Sequence, residues 1–479
     1  MINIDKIQTI KQDDSVIIIC NQENINKLSE SILSKAQCEF IKQEYADKDS
    51  VHFSFNNLNR YILVDVIKEC GTNYQDKEKY RRLGAKTLQL CDNNNIKDLQ
   101  MISLCEKDML IGFIEGMILA SYIFDNYKTD PKRLIHPFDN LHICDKDITK
   151  EDLDKLRIIF EATEKCRDLI NEPVTVINAT TLAENIRAMA EETGMKCEIW
   201  DKAKIEKEKM GGILAVNKGS KEPPTFTIVE YKPEKHLNSR PIVLVGKGIV
   251  YDTGGLNIKT GNYMNDMKDD MSGAATMATT MYACARLNVP IHIIGLFPAT
   301  DNRPGENAYA SGDIINMYDG TNVEVVNTDA EGRMILADAL AFAKQYNPSL
   351  VIDAATLTGA AQRAIGPFGI VAVQQDAEHF IEVMKTCGKR VYERIAEFPF
   401  WEEYDDCIKS EIADIKNSGE SYAGMITAGK FLAYFTNYPY IHLDIAGVSF
   451  TNKKDAYNRL HATGFGVRLL VEFLSTYHK

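Results

Sequence analysis

The 479-residue chain is predicted to be an α/β protein. We expect two α/β domains joined by a long helix, the C-terminal domain being a mixed, mainly parallel sheet flanked by helices. Its length suggests more than one domain. In the C-terminal part, nearly all-apolar strand patterns alternate with helical ones, which is typical of a sheet covered on both faces. A long amphipathic, charged segment precedes this alternation.

The N-terminal domain is predicted to span residues 1–147. Short β-like runs at 15–19, 51–55 and 61–67 mix with helical patterns at 80–90 and 109–122. The stretch "NYKTDPKRLIHPFDN" at 126–140 is rich in polar residues and contains two prolines, which indicates a boundary.

The connecting helix is predicted at 148–173. Its amphipathic pattern covers 149–169, and Thr149 followed by Asp152 is a capping pattern. Pro173 disfavours helix at Glu172, so the helix is expected to end there.

The C-terminal domain is predicted at 174–479. A capping box at Thr181 and Glu184 is expected to begin its first helix, which ends at Gly194. Strands are predicted at 225–231, 241–245, 291–297, 350–356, 370–373 and 440–445. Helices are predicted at 273–287, 332–345, 377–387, 423–435 and 462–477. Ligands of such domains bind at the carboxyl ends of the strands.

The composition excludes several classes of protein. The chain has no apolar run long enough to span a bilayer and no signal-peptide pattern at its N-terminus. Its net charge of −13 argues against binding to anionic membrane surfaces and to nucleic acids. Eleven scattered cysteines without a C-x-x-C pair indicate free thiols in a reducing compartment, so a cytoplasmic location is expected.

Two segments carry unusual charge. In "VVNTDAEGRMILADAL" (325–340), Asp329, Glu331 and Arg333 alternate where a helix begins, although one capping oxygen would suffice. In extended chain the two carboxylates would point to the same side. The second segment, "LVGKGIVYDTGGLNIKTGNYMNDMKDDMSGAA" (244–275), is predicted to be a long loop after a strand, closed by a helix near Ser272. It contains Lys247, Asp252, Lys259 and Asp270.

Charged loop residues are usually just solvated, but four of these carboxylates brought together would repel one another. Two hard divalent cations, which prefer oxygen ligands, would cancel that charge. A nearby dication would also favour the neutral amine of Lys247, making it a possible nitrogen ligand. Lys259 and Arg333 would stay cationic and face an anionic transition state.

These motifs resemble the leucine aminopeptidase (cytosol aminopeptidase) family of dinuclear metallopeptidases. The resemblance extends from about Arg167 to the C-terminus and includes "RDLINEP", "MGGILAVNKGS", "DAATLTGA" and "HLDIAG". The first 145 residues carry no matching motif and are assigned to the family's N-terminal domain by position. The resemblance implies that 174–479 is the catalytic metallopeptidase domain.

The resemblance implies a role for each matched position. A tight metal site would use Lys247, Asp252, Asp270 and Glu331, and an exchangeable site would use Asp252, Asp329 and Glu331. Lys259 and Arg333 would be catalytic. The cofactors would be two divalent ions per chain, zinc or manganese in preference to magnesium or cobalt, together with bicarbonate held by Arg333 as general base.

The activity that the resemblance implies is removal of the N-terminal residue from peptides by water activated between two metals. Met267, Thr356, Gly359 and Ala446 would line the pocket for the N-terminal side chain, which suits Leu or Met better than Asp or Glu. The family also implies a homohexamer with active sites facing an interior cavity. His442 and Asp444 are expected to be core residues rather than ligands.

The sequence departs from the family pattern at positions outside the matched site, namely Gly305, Glu306, Ser311, Phe465 and Gly466. They put local loop shape in question rather than reaction class. Two alternatives to a general aminopeptidase stay open. One is a catalytically silent scaffold or nucleic-acid-binding protein, against which the intact site residues argue. The other is a dedicated dipeptidase with the same site.

Overall fold

Two large sheets with flanking helices form most of the described part of the protein, and two small sheets of three and two strands accompany them. A computed structural model describes residues 2–28, 32–45, 50–57, 60–69, 71, 73–130 and 138–477. One compact unit comprises Met1–Glu161 with Lys453–Arg459, and the other comprises Ala162–Asn452 with Leu460–Lys479. The domain boundaries expected after 147 and 173 stay a prediction, and residues 131–137 of the expected boundary segment lie outside the described residues.

The first unit contains a six-stranded sheet in the order β1-β6-β5-β2-β4-β3. All neighbours are parallel except β3, which is antiparallel to β4. Its elements and the helix that follows are β1 (Asn3–Lys6), β2 (Val16–Asn21), α1 (Lys35–Tyr45), β3 (Ser50–Asn57), β4 (Arg60–Ile67), α2 (Asn73–Asn93), β5 (Asp98–Ser103), α3 (Lys107–Ser121), β6 (Asn140–Cys144) and α4 (Lys150–Asn171).

The helix α4 begins and ends where the sequence indicates. The Asp152 carboxylate accepts from the Thr149 amide at 2.7 Å, and the Thr149 hydroxyl accepts from the Asp152 amide at 3.1 Å. This reciprocal pair satisfies two donors at the helix N-terminus. The helix ends at Asn171, two residues before Pro173.

The second unit is built on a nine-stranded sheet, with the main path β16-β15-β18-β14-β9-β11-β8-β7 and β10 beside β11. Its elements are α5 (Ala179–Thr193), β7 (Lys196–Trp200), α6 (Lys202–Lys207), α7 (Gly211–Asn217), β8 (Thr225–Tyr231), β9 (Ile242–Gly246), β10 (Gly248–Asp252), α8 (Ser272–Arg286), β11 (Ile293–Asn302), β12 (Ile314–Asn316), β13 (Asn322–Glu324), α9 (Glu331–Ala343), β14 (Leu350–Ala355), α10 (Gly359–Ile365), β15 (Ile370–Gln375), α11 (Glu378–Val391), β16 (Ile395–Glu397), β17 (Ile415–Lys416), α12 (Gly424–Ala433), β18 (Tyr440–Asp444), β19 (Phe450–Thr451), β20 (His461–Ala462) and α13 (Val467–Thr476).

The predicted fold class is confirmed. The central strands β9, β11, β14 and β18 run parallel to one another and are buried along their whole length. Antiparallel pairs occur at β15–β18, β8–β11 and β7–β8, which makes the sheet mixed. The large apolar cluster between this sheet and helices α7, α9 and α12 fixes the carboxyl ends of the parallel strands.

Three local predictions were wrong. Helix α5 begins earlier than expected, because Asn178 is its N-cap and Thr181 is the reciprocal partner, at 2.9 and 2.8 Å. The expected loop after Val245 contains strand β10, which pairs with β11. The last helix begins at Val467 rather than Ala462, because Gly464 and Gly466 have positive φ angles.

Candidate functional site

The candidate site lies at the carboxyl ends of parallel strands in the second unit. Lys247 follows β9, Asp252 is the last residue of β10, and Asp270 lies in a short 3-10 helix, Met267–Met271, that leads into α8. Asp329 lies in a turn and Glu331 is the first residue of α9. This is the edge of an α/β sheet where ligands bind.

Three of the predicted carboxylates converge. Asp252, Asp329 and Glu331 each present an oxygen atom, and these oxygens lie within 4.8 Å of one another. The expected reason for the convergence of Asp329 and Glu331 was wrong, because the chain between them is a turn into a helix and not an extended strand. The turn nevertheless brings their oxygens together.

Lys247 lies between two carboxylates at the bottom of the site. Its ammonium is 2.7 Å from Asp270 Oδ1 and 3.1 Å from Glu331 Oε1, and it donates to the Thr356 carbonyl at 3.0 Å. Gly332 makes room for it, since a Cβ atom at 332 would come within 2.3 Å of Lys247 Cε. Burial disfavours the charged amine, but Asp270 and Glu331 outweigh it and raise the pKa of Lys247.

Lys259 bridges the other two carboxylates. Its Nζ is 2.7 Å from Asp252 Oδ2 and 2.6 Å from Asp329 Oδ1. Burial lowers its pKa, and Asp252 with the other carboxylates more than reverses that effect. Lys259 therefore stays positively charged. The side chain of Asp329, with which it pairs, is 34 % exposed.

The carboxylates remain electrostatically frustrated despite the two lysines. Burial, together with neighbouring carboxylates, raises the pKa of Glu331 to about 7 and raises that of Asp270. Asp270 Oδ2 and Glu331 Oε2 are buried and have no hydrogen-bond partner among the described residues. Orphaned anionic oxygens in a carboxylate cluster are the donor set that divalent cations require, so the residues present fit a metal centre.

Arg333 lies apart from the carboxylates. Two residues along a helix correspond to a rotation of about 200°, and Arg333 does not line the cavity that the other site residues surround. Its Nη1 donates to the Asn417 carbonyl at 2.9 Å, and its buried Nε has no partner in the part of the chain that is described. Burial lowers its pKa to about 10.

The four residues predicted to line the substrate pocket lie around one cavity, and their role as that pocket stays a prediction. Met267, Thr356, Gly359 and Ala446 all line a cavity of about 850 Å³, along with Lys247, Lys259 and the carboxylates. Thr356 also donates from its hydroxyl to Asp270 Oδ1 at 2.9 Å. The cavity is large enough for a short peptide.

Comparisons with known proteins agree with this geometry. Residues 164–471 match the model of the cytosol aminopeptidase family, catalytic domain. The chain belongs to the cytosol aminopeptidase family. It therefore carries an aminopeptidase catalytic domain and is a hydrolase.

Individual relatives support the same assignment. The chain is 47 % identical over 320 residues to a probable cytosol aminopeptidase of Chloroherpeton thalassium, covering 66 % of this chain and 62 % of the relative. It is 41 % identical over 365 residues to that of Geobacter sulfurreducens, covering 75 % and 73 %. A solved structure of the bottromycin maturation enzyme BotP in complex with Mn is 25 % identical, with a TM-score of 0.84 over 97 % of this chain and 99 % of that one.

Several residues that hold the site of this family member were not predicted. Asn302, at the end of β11, donates from its amide to Asp252 Oδ1 at 2.8 Å and to the Thr328 carbonyl at 3.0 Å. Asn257 Oδ1 accepts from the Thr328 amide at 2.8 Å. Single asparagines at these positions give no recognisable pattern in one sequence.

The departures from the family pattern have local structural reasons at two positions. Gly305 packs against the backbone of Gly219, where a Cβ atom would come within 2.4 Å of the Gly219 carbonyl oxygen. The Ser311 hydroxyl lies 3.1 Å from Asn257 Oδ1 and 3.0 Å from the Val326 carbonyl oxygen, and it can donate to either. Ser311 thus contacts the loop that carries Asp329.

His442 and Asp444 are buried, as expected for core residues. His442 Nδ1 lies 2.8 Å from Asp353 Oδ1, on the neighbouring strand β14. Asp444 accepts from the Thr358 hydroxyl at 2.7 Å and from the Ala446 amide at 3.2 Å. It therefore joins two loops that line the cavity.

None of the helices in the described part of the chain has the length and apolarity needed to cross a bilayer.

Proposed function

We propose that this family member is a two-metal aminopeptidase that removes N-terminal residues, preferentially Leu, Met and other hydrophobic ones, from peptides. The observation that carries the proposal is the cluster of Asp252, Asp329 and Glu331, whose charge the two nearby lysines do not cancel. The manganese named with the BotP structure supports a divalent ion. Zinc or manganese is proposed, with magnesium or cobalt as the other candidates.

The ligands are proposed to be Lys247, Asp252, Asp270, Asp329 and Glu331. Two divalent ions held by these residues would lower the pKa of a bound water and polarise the scissile carbonyl. Lys247 must release its proton to act as a nitrogen ligand, so its present ion pairs with Asp270 and Glu331 break when a cation enters. Metal loading is therefore expected to release protons.

Lys259 and Arg333 are proposed to be the catalytic pair. Lys259, which the carboxylates keep protonated, stabilises the oxyanion that develops at the scissile carbonyl. Arg333 has a buried Nε–H without a partner among the described residues, a geometry suited to an oxyanion such as bicarbonate. Bicarbonate held there is the proposed general base.

Hydrolysis of leucine anilide and of short peptides tests the proposal. We expect activity with added manganese or zinc, about two ions per chain by elemental analysis, and no cleavage of N-acetylated peptides. Leu and Met substrates should be cleaved faster than Asp or Glu ones. A protein that stays inactive with every divalent metal would contradict the proposed function and favour the silent scaffold.

The assembly and location are proposed from the family resemblance. We expect a homohexamer, so light scattering should give about six times 53.9 kDa, and a fully active monomer would refute it. An enclosed assembly would admit short peptides and exclude folded proteins. The ten cysteines among the described residues are free thiols, which supports a reducing cytoplasm.

A further inference from the structure

One cationic side chain in the cavity is not committed to the metal site. Arg363, on helix α10, lines the same cavity as Lys247 and Lys259. Both lysines are held by carboxylates at 3.1 Å or less. Arg363 is exposed, and no side chain in the described ranges forms an ion pair or hydrogen bond with it.

The position of Arg363 relative to the pocket follows from helix geometry. Side chains lean toward the N-terminus of a helix, so a residue lies over the residue four positions earlier. Arg363 accordingly lies over Gly359, the first residue of α10, and a Cβ atom at 359 would be only 3.1 Å from Arg363 Nη1. The missing side chain of Gly359 leaves this guanidinium open to the cavity.

The remaining lining of the cavity contains nothing else that would attract an anion. Besides the site carboxylates, it includes further acidic residues and neutral polar ones, among them Asp266, Asn265, Gln362 and Asn452. Among the described lining residues, Arg363 is thus the only cation without a carboxylate partner. A guanidinium presents parallel N–H donors that match a carboxylate.

We propose that Arg363 binds a carboxylate group of the substrate and so sets the enzyme's preference within the proposed aminopeptidase function, on which this inference rests. A peptide offers that group in two ways. The C-terminal carboxylate of a dipeptide lies close to the scissile bond, and an acidic N-terminal side chain would carry one into the pocket. Binding of the C-terminal carboxylate would favour the hypothesis that the enzyme is a dedicated dipeptidase.

Four substrates distinguish these sources. Leu-Gly and Leu-Gly-amide differ only in the C-terminal carboxylate, and Asp-anilide and Asn-anilide differ only at the N-terminal side chain. The kcat/KM ratio of each pair is measured in manganese-loaded wild type, Arg363→Gln and Arg363→Lys. Arg390→Gln is the matched control, because Arg390 is 58 % exposed on α11 and pairs with Glu472 outside the cavity.

We expect wild type to favour the carboxylate-bearing member of one pair by about three- to tenfold, the size of an exposed or half-desolvated ion pair. That ratio should fall to about one in Arg363→Gln, mainly through KM, because binding before and during reaction is affected equally. Arg363→Lys should keep part of it, Arg390→Gln should keep all of it, and added salt should weaken it.

The outcomes separate the inference from the proposed function. If Arg363→Gln loses the preference for Leu-Gly over Leu-Gly-amide, Arg363 binds the C-terminal carboxylate of the substrate. If it loses a preference for Asp-anilide over Asn-anilide, Arg363 binds the N-terminal side chain, and an acidic preference replaces the proposed hydrophobic one. Ratios that are identical in wild type and Arg363→Gln overturn the role of Arg363 while leaving the aminopeptidase intact. No hydrolysis of any of the four substrates, Leu-Gly included, by manganese-loaded wild type would instead overturn the aminopeptidase itself.

Discussion

The two units place polar side chains at the carboxyl ends of their sheets in opposite ways. In the first unit, Glu69 follows β4 and accepts from Tyr80 at 2.8 Å and from Asn21 at 3.3 Å. On helices α2 and α3 of the same unit, the buried Arg81 is shared by Glu78 and Glu115, each at 2.6 Å. In the second unit four carboxylates face two lysines, and two of the carboxylate oxygens are orphaned.

The difference separates a structural network from a candidate reactive one. Charged and polar groups that pair with one another are satisfied without a ligand. Removing one of them is expected to lower the free energy of unfolding. Carboxylates that stay unsatisfied in the folded chain can be stabilised by an external cation. Removing one of them is therefore expected to lower the affinity for that cation. Strong charge near a strand end is therefore not enough to mark a site.

Neutralising one carboxylate at each place, Glu331 in the second unit and Glu69 in the first, tests this difference most directly. Glu331→Gln should lower kcat/KM by about 10³-fold or more and reduce the bound metal, since several kcal/mol of charge stabilisation are lost. Glu69→Gln keeps an acceptor for Tyr80 and should leave both quantities unchanged. Elemental analysis and leucine anilide kinetics measure the two effects, and equal losses in both variants would erase the distinction.

The converse change removes the cation of the satisfied ion-pair group formed by Arg81, Glu78 and Glu115. Arg81→Ala leaves Glu78 and Glu115 buried without their shared partner and should cost about 3–5 kcal/mol of unfolding free energy. Urea unfolding measures this loss, while metal content per folded chain should not change. Adding Glu78→Gln and Glu115→Gln should recover part of the stability, and no recovery would show that packing, not charge, explains the loss.

Arg333 tests whether a residue outside the carboxylate cluster can act in turnover without holding metal. Arg333→Ala should lower kcat by about 10²–10³-fold, as removal of a preorganised oxyanion donor does, with metal content near that of wild type. Arg333→Lys keeps the charge but not the planar fork and should rescue little. If bound metal falls in parallel with kcat, Arg333 supports the metal centre instead.

Much of this contrast could be predicted from the sequence. The apolar strands and their alternation with helices predict the sheet, and the spacing of Asp329 and Glu331 beside a helix start signals a site. The geometry at α5 was not predictable from pattern alone, because Thr181 can serve as N-cap or as the reciprocal partner of Asn178, and packing decides. The start of α13 likewise depends on the positive φ angle of Gly466, whose backbone amide donates a hydrogen bond to the buried Glu393 carboxylate at 3.0 Å.

The side chains that orient the ligands were the least predictable part of the site. Asn302 carries no motif, and its role appears only when β10 and β11 pair Asp252 with it. Such contacts join residues 50 positions apart in sequence, so no local spacing reports them. The sequence predicts the charged groups and leaves out the neutral amides that hold them.

The role of one of these neutral amides, that of Asn302, can be tested through the affinity for metal. Asn302 is fully buried, and its amide fixes Asp252 Oδ1, leaving Oδ2 for Lys259 or a cation. Asn302→Ala should weaken manganese binding by about 10- to 100-fold, the usual size for a residue that orients a ligand, with kcat at saturating metal close to wild type. Calorimetric titration of chelator-treated protein measures the affinity.

The matched control is Asn217, which is also buried and donates to the Thr300 hydroxyl at 3.1 Å. Asn217→Ala should lower the stability of the protein without lowering its affinity for manganese. Equal manganese affinity in both variants would make Asn302 an ordinary core amide.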